Sequence, residues 1–555
     1  MTAAGAPQIA DIHNALHPSA EIQRHKNEQN EKARRLANWD PSYTSEKVNW
    51  YREYVQRYAP VKTSWFQRVE DGLGDEKEIR EATGIGVLYH EDGAADKLVA
   101  PMDDGSVCIW DMAPDDPYNQ DGKRGRLLDR SEMGLLAARG PNVDRDRRLV
   151  ESKAIMTETG AVECVSIDGR QQKGYFAVMD YLNEVDLSTL QVVSRHRFPF
   201  QITALSEARH PTPTTVGTNW TLHLHDPRQP SKFFAEEPSS RCELIGGPAA
   251  KSSFSTFLNG NTTSHASLSQ PGPLSILHMP ITREWDGNGD IWVAGRFTSL
   301  LNYDRRFFPK LRGTVHSGAR IAALAMLPHP FIPRELDLMR NERLSVADVR
   351  AAKEIPGSTL IAAGDYKQKG SLELYGLSSH PNYTTLSTDY GAFGRGNVYQ
   401  NRQTASRSKL LSVVPNGTTI AFSDGDGNVK WIERDGFTAV RQFNINTDTE
   451  VPGHVRETLA GPEPNDDIVQ KLIPTSITKS ETSSAPENLL MWTGEGKVGM
   501  LSFGGGSGFD EGVFERERSE EEVRKREAER EFERRMRRAL ERQADEVRWF
   551  GRLRF

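Results

Sequence analysis

Apolar positions along this chain gather into pairs of short runs joined by tight polar turns, and the pairing recurs seven times. The first pair is KLVAPMDDGSVCIWDM, residues 97–112, in which two apolar runs meet at Asp104-Gly105. Asp-Gly between apolar runs marks a β-hairpin. The second lies at 174–190 and holds Leu182 to Asp186; the third, 214–228, ends at His225-Asp226; the fourth, 291–306, ends at Tyr303-Asp304. The remaining three are 359–377, 419–436 with Trp431, and 488–503. A further short β-type run precedes each pair, at 85–88, 162–165, 202–205, 274–277, 321–324, 410–413 and 468–472. Three strands are thus visible per unit, and the variable segments between units are expected to supply a fourth. Repeated four-stranded units select a propeller over a sandwich or a single barrel. The predicted fold class is all-β, a seven-bladed β-propeller spanning 80–505, with N-terminal and C-terminal α-helical extensions.

SVCIWD (106–111), TLHLHD (221–226) and SLLNYD (299–304) carry a resemblance to the WD-repeat family. LRGTVHSGARIAALAML (311–327) is similar to the loop where that family often places Gly-His before a strand. Only the first unit keeps Trp-Asp in strand context; Trp39-Asp40 and Trp285-Asp286 lack it. The resemblance implies blade-bracing roles, rather than catalytic ones, for Trp110, Asp111, Asp186, Asp226, Asp304, His316 and Trp431.

The spacing between units exceeds the usual 40–45 residues per blade. The excess falls in a charged insert at 113–158, a Ser/Gly/Pro/Asn/Thr-rich loop at 236–273, a stretch with helical spacing within 328–357, and polar loops at 378–408 and 440–466. Long loops on a rigid scaffold are where binding residues concentrate.

Both ends read differently. Residues 1–20 are expected to be disordered, and 21–62 helical. Val48, Tyr51, Tyr54 or Val55, and Tyr58 stand at helical spacing, with Pro60 as a stop. LANWDPSYTSEKVNWYREYVQRY (36–58) resembles the tail of the F-box region in F-box proteins that carry WD repeats. That implies a partner-binding helix bearing Trp50, Tyr51 and Tyr54, contacted by a Skp-type adaptor and a cullin. No Leu-Pro F-box opening precedes it, so a helix packed on the propeller's flank fits the same residues. At the other end GGGSG (504–508) reads as a hinge. Residues 509–555 form a charged helix with a thin apolar stripe (Phe532, Met536, Leu540, Val547, Phe550) and an Arg-rich face (Arg534, Arg535, Arg537, Arg538). That face suits either a solvated, ion-paired helix or acidic partners such as RNA or chromatin.

Composition narrows the function classes. A net charge of −7 over 555 residues argues against a general nucleic-acid binder. Cys108, Cys164 and Cys242 are far apart with no CxxC pair, which suits a reducing compartment rather than a disulfide framework. The first twenty residues lack the apolar core of a signal peptide, and no apolar stretch approaches membrane-spanning length. An intracellular location, cytoplasmic or nuclear, is therefore expected.

Catalytic and metal motifs do not emerge. GGGSG lacks the Lys-Ser/Thr of a phosphate loop, and neither HExxH nor GxSxG occurs. The run from Asp424 opens like a calcium loop but has Val429 where Gly is required and Asp435 at its twelfth position, and so reads as a hairpin turn. His223 and His225 share one strand face, which is too few ligands for zinc. The expected function is a non-enzymatic protein-interaction scaffold, monomeric outside its complexes, without catalytic residues, metal or other cofactor. In its sharper form it is a substrate receptor of a cullin–RING ubiquitin ligase. The alternative is an RNA- or chromatin-associated adaptor using the Arg-rich helix.

Overall fold

The computed structural model describes residues 42–43, 46–71, 78–112, 124–137, 145–159, 163–226, 242–244, 272–279, 289–332, 351–378, 385, 397–447, 449–452, 466–477 and 487–504, with single helical positions at 532, 535, 536 and 539. The chain folds as a seven-bladed β-propeller.

Blade 1 pairs Gly86–Tyr89, Ala95–Pro101, Val107–Asp111 and Leu127–Arg130 in that order. Blades 2, 3 and 4 repeat the order from Val165–Asp168, Ile202–Leu205 and Pro273–His278, and end at Gln191–Arg197, Cys242–Leu244 and Leu311–His316. Blade 5 runs from Arg320–Leu327 to Val398–Ser406. Blade 6 runs from Leu410–Asn416 to Ala439–Asn444 and adds a fifth strand, Thr449–Pro452. The first strands of successive blades lie side by side, which places them around the axis.

Blade 7 settles where the propeller begins. Its own strands are Val469–Pro474, Leu489–Thr493 and Val498–Phe503, and its fourth is Val61–Trp65, antiparallel to Val498–Phe503 with Val61 opposite Phe503. The propeller thus starts at Val61 rather than at 80, and the segment read as helical through residue 62 already contains the closing strand. The fourth strands of blades 1, 3, 5 and 6 emerge from segments that read as inserts or their edges, and that of blade 4, Leu311–His316, takes up the start of the 311–327 stretch that reads as a loop. The charged insert 113–158 supplies Leu127–Arg130 and most of a helix, α2 (Arg145–Thr159). The polar loop 378–408 supplies Val398–Ser406, and 440–466 overlaps both outer strands of blade 6. Residues 351–354, at the end of the stretch with helical spacing, are helical. Apart from 242–244 and 272–273 the Ser-rich loop falls outside the described residues, as do the extreme N-terminus and the pairs Trp39-Asp40 and Trp285-Asp286.

Tight turns explain why apolar runs fold back as strands. Gly105 sits at φ +76° in the first hairpin, a left-handed conformation that disfavours a side chain. Alternate residues of each strand then face the neighbouring blades. Blades 1, 2 and 3 share a core that includes Val99, Phe176, Leu182 and Val216, while blades 7 and 1 share Ile85, Leu98, Trp110 and Met500.

Serines on three first strands tie one blade to the next. Ser166 Oγ donates to the Ser206 carbonyl at 2.8 Å and accepts from Ala208 N at 2.7 Å. Ser275 Oγ accepts from Leu324 N at 3.1 Å, and Ser412 Oγ from Leu472 N at 3.0 Å. All three are buried. Replacing Ser412 by Ala strands a buried amide, so an unfolding cost of about 1–3 kcal/mol is expected by urea titration. An indistinguishable midpoint would show that the tie contributes nothing.

A smaller compact unit includes residues 42–43, 46–48, 328–332, 351–359 and 375–378. In it Tyr43 stacks on His329, centroids 4.5 Å apart and planes within 6°, and its hydroxyl donates to the Pro330 carbonyl at 2.9 Å. Lys353 Nζ donates to the Ser42 carbonyl at 2.7 Å and lies 5.7 Å from the Tyr43 ring centre.

Candidate functional site

The feature that packing of the propeller does not use up is α1 (Trp50–Tyr58), the helix just before the closing strand. Asn49 caps it: its side-chain oxygen accepts from Arg52 N at 3.2 Å. Glu53 in the first turn and Arg57 in the last complement the helix dipole. Pro60 follows the last turn, and Arg441 closes it by donating to the Gln56 carbonyl at 2.6 Å and the Ala59 carbonyl at 2.7 Å.

α1 is mounted with its polar side inward. Glu53 is 4% exposed, and Gln56 and Arg57 are buried with it. Their receptor is the Asn416-Gly417-Thr418 turn of blade 6. Arg57 Nε donates to Glu53 Oε1 at 2.6 Å, and its two terminal nitrogens reach Glu433 at 2.5 and 3.0 Å. Arg57 Nη2 also donates to Thr418 Oγ1 at 2.7 Å. Glu53 accepts from the Thr418 amide at 3.2 Å and from its hydroxyl. Gly417, at φ +58°, leaves the helix room: a Cβ there would stand 2.6 Å from Gln56 Oε1 and 2.9 Å from Glu53 Oε2. Burial works against the Arg57 charge, but the Glu433 and Glu53 carboxylates outweigh it and raise its pKa. Val55 adds an apolar contact to the core of blades 6 and 7.

The opposite side of α1 faces solvent. Tyr51 is 71% exposed, Tyr54 and Tyr58 nearly as much, and Trp50 about half. Tyr54 and Tyr58 lie against each other, centroids 5.0 Å apart. An amphipathic surface helix normally buries its aromatics and displays its charges. The helix is therefore packed on the propeller's flank and holds its aromatic residues outward.

The residues singled out by the WD-type pattern occupy several settings. Trp110 is buried, its ring nitrogen donating to the Gln67 carbonyl at 2.9 Å; Trp431 is buried and donates to Asn416 Oδ1 at 2.9 Å. Asp111 ends its strand opposite Lys97 and is half-buried. Asp186 Oδ1 holds the following turn, accepting from Ser188 N at 2.8 Å and Thr189 N at 3.2 Å. Asp304 does the same with Arg306 N at 3.0 Å. Asp226 follows the third strand of blade 3, half-buried. His316 ends the fourth strand of blade 4, exposed, with Nδ1 3.4 Å from Ser299 Oγ.

Other acids, missed in the sequence, link strands or blades. Glu373 accepts from Ser317 Oγ at 2.6 Å, Ser371 Oγ at 3.0 Å and Arg402 Nε at 3.1 Å. Glu184 accepts from Lys173 Nζ at 2.7 Å and Ser194 Oγ at 2.6 Å. Asp424 accepts from Ser406 Oγ at 2.6 Å and from the Asp426 and Asn428 amides, so the calcium-like run is a hairpin turn. Their signal was present: an acid inside an apolar strand, as in Leu372-Glu373-Leu374, requires a buried partner. In the two-stranded sheet Val69–Asp71/Glu78–Arg80, Asp71 is held down to about 2 by hydrogen bonds from Arg130 and Arg80, against the opposing effect of burial.

His223 and His225 are buried in strand Thr221–His225, and the His225 ring lies 4.5 Å from that of His196. Among the described residues, no group of three or more His, Cys, Asp or Glu is placed to hold a metal ion. No described helix is long and apolar enough to cross a membrane. Of the Arg-rich C-terminal face only Arg535 is described. No protein-family model matches the chain. Comparison with curated proteins likewise yields no match.

Proposed function

We propose that this protein is a non-catalytic interaction scaffold whose partner-facing element is the aromatic side of α1. The observation that carries this reading is the inverted mounting of the helix: buried Glu53, Gln56 and Arg57 hold it in place, while Tyr51, Tyr54 and Tyr58 stay exposed. Nothing in blade packing requires three tyrosines there. Tyrosines are common interaction hot spots because a rigid ring offers large contact area and a hydroxyl. The finer reading is that of a substrate receptor of a cullin–RING ubiquitin ligase, with α1 contacting a Skp-type adaptor and the propeller presenting the substrate. It draws on the likeness of residues 36–58 to the tail of an F-box region.

Affinity purification of tagged wild-type chain beside a Tyr51→Ser/Tyr54→Ser/Tyr58→Ser variant tests both levels. All three side chains are exposed, so the variant is expected to melt within about 3 °C of wild type, the shift that corresponds to about 1 kcal/mol or less. Its partner set is expected to lose members. Recovery of a Skp-type adaptor and cullin with wild type, and their loss with the variant, is the outcome expected of the ligase reading. An identical partner set for both chains would remove α1 from the interface. Truncation through residue 62 is no substitute, because it cuts into the strand that closes blade 7.

A further inference from the structure

We infer that the outer edge of blade 4, together with the basic turn that leads into it, binds an acidic segment of a partner protein as an added β-strand. The surface uses no residue of α1 and gives the scaffold a second docking site of defined chemistry.

Leu311–His316 is the last strand of its sheet. Its inner side pairs with Ser299–Asp304, with His316 opposite Ser299 and Gly313 opposite Asn302. Ser317 N continues that ladder, donating to the Thr298 carbonyl at 3.1 Å. Bonded pairs recur at every second residue of an antiparallel ladder. Gly313 and Val315 therefore bond inward, while Thr314 and His316 turn their amides and carbonyls outward. Among the described residues, no backbone group of 311–316 bonds beyond the blade. An uncovered row of this kind is a template for one more strand. Elsewhere in the molecule such an edge is occupied. On blade 6, Thr449–Pro452 lies antiparallel to Ala439–Asn444 through four residue pairs. On blade 1, Gln67 N donates to the Gly125 carbonyl at 2.9 Å, and its side chain accepts from Leu127 N at 3.1 Å.

Charge selects the occupant. Residues 304–312, DRRFFPKLR, hold four cations against one acid, in a chain of net charge −7. Arg306 pairs with Asp304 at 2.9 Å and Arg312 with Asp290 at 2.5 Å. Among the described residues, Arg305 and Lys310 have no ion-pair partner, and Arg305 Nε is buried without an acceptor. The turn is held by its own backbone: Phe307 N donates to the Asp304 carbonyl at 3.0 Å, and Lys310 N to the Phe307 carbonyl at 2.8 Å. Phe308 is buried against Tyr303, ring centres 5.5 Å apart, while Phe307 stays 62% exposed beside Arg306. Arg312, Thr314 and His316 are exposed along the strand. A positive edge repels a second copy of itself and attracts a strand that carries acids. The strand has six residues, so a partner segment of about 20 Å covers it, with an apolar side chain at one end against Phe307. An anionic bilayer would match the charge and the phenyl ring but would leave the outward amides unpaired. An acidic peptide strand uses both.

The test titrates the full chain into a coumarin-labelled peptide, Phe-Glu-Val-Glu-Val-Glu-Val-Gly, and follows amide exchange. Expected are saturable binding that weakens with salt and exchange slowed at least about ten-fold at Thr314 and His316. Lys310→Glu and Phe307→Ser, both at exposed positions, are each expected to weaken binding at least about five-fold with the melting temperature unchanged. The same peptide N-methylated at each internal amide keeps every charge but cannot pair as a strand, and is expected to bind at least about ten-fold more weakly. Equal affinity for the methylated peptide would overturn the proposal, as would protection confined to other edges such as Gln191–Arg197, or no binding up to about 1 mM. Vesicles of phosphatidylcholine and phosphatidylserine are the third probe. If they bind the chain through Phe307 and Lys310 and the peptide does not, the surface docks lipid and the proposal fails. The tyrosine variant of α1 keeps this edge, so each of the two docking sites stands or falls without the other.

Discussion

Acidification from about pH 7 to about pH 5 is expected to remove about 6 kcal/mol of stability, and three buried histidines set that window. Burial holds His223 down to about 3, with the nearby His225 adding to the effect. His225 is lowered to about 4 by burial and then by His196, against the opposing pull of Glu184 and Asp226. His278 is lowered to about 3 by burial, with Arg305 and Arg209 contributing. In the unfolded chain each returns to a pKa near 6.5. The unfolded state therefore binds protons that the folded state refuses, from about pH 6.5 down to about pH 4. Each histidine contributes fully above about 6.5, and its contribution falls by about 1.4 kcal/mol for every pH unit below that, or about 2 kcal/mol at pH 5. Three such losses rival the whole stability of many domains. Asp71 acts in a separate range: its lowered pKa gives stability that is lost only between about 3.8 and 2. Urea unfolding at about pH 7.5, 6 and 5 reads the slope directly, and His225→Phe is expected to flatten it by about a third. A midpoint unchanged across that range would mean that the histidines are protonated in the fold.

Arg57→Ala is expected to cost about 3–5 kcal/mol, because it takes the cation away from the buried Glu53 carboxylate and from the half-buried Glu433. Tyr54 lies three residues away on the same helix, and its replacement by Ser is expected to cost less than about 0.5 kcal/mol. The contrast inverts ordinary expectation for a surface helix, since the charged residue carries the stability and the aromatic one does not. The loss should appear first in strand Val61–Trp65, which follows α1 directly, as faster amide exchange there than in the first strands of blades 2 to 6. A cycle with Glu433→Gln measures the coupling: the double variant should be less destabilised than the sum of its parts. A cost below about 1 kcal/mol for Arg57→Ala would show that the buried network does not hold α1 in place.

The blades were legible because β-hairpins write themselves locally. Asp104-Gly105, Asp424-Gly425 and the apolar runs beside them specify turn and strand together, whatever the distant chain does. Fourth strands were not legible, because an outer strand is buried on fewer sides. Gln191–Arg197 and Val398–Ser406 are accordingly polar, the first in the short segment after a strand pair and the second within an insert. α2 escaped notice for a related reason: Val150, at 69% exposure, interrupts any apolar stripe. The aromatic spacing of α1 was visible, but its orientation was not. Which side of a helix is buried depends on what lies beneath it, and the receptor at Asn416-Gly417-Thr418 is more than 350 residues downstream. Apolar periodicity alone points to the wrong side here, since Arg57 and Glu53 are satisfied only by partners in blade 6. The acids that link strands or blades were overlooked for the same reason, as Glu373 acquires meaning only beside Ser317 and Arg402.

The pairing of Val61–Trp65 with Val498–Phe503 also fixes a timetable for synthesis. Lys62 and Ser502, joined in that pairing, are 440 positions apart. At ordinary translation speeds the early strand waits about 20–90 s before its partner leaves the ribosome. Throughout that interval a ready-made strand edge stands open to any other nascent chain. Six blades can form in order as they emerge, but the ring is completed only by a contact between strands 440 positions apart. Conditions that stall translation late in the chain therefore endanger this protein more than those that stall it early.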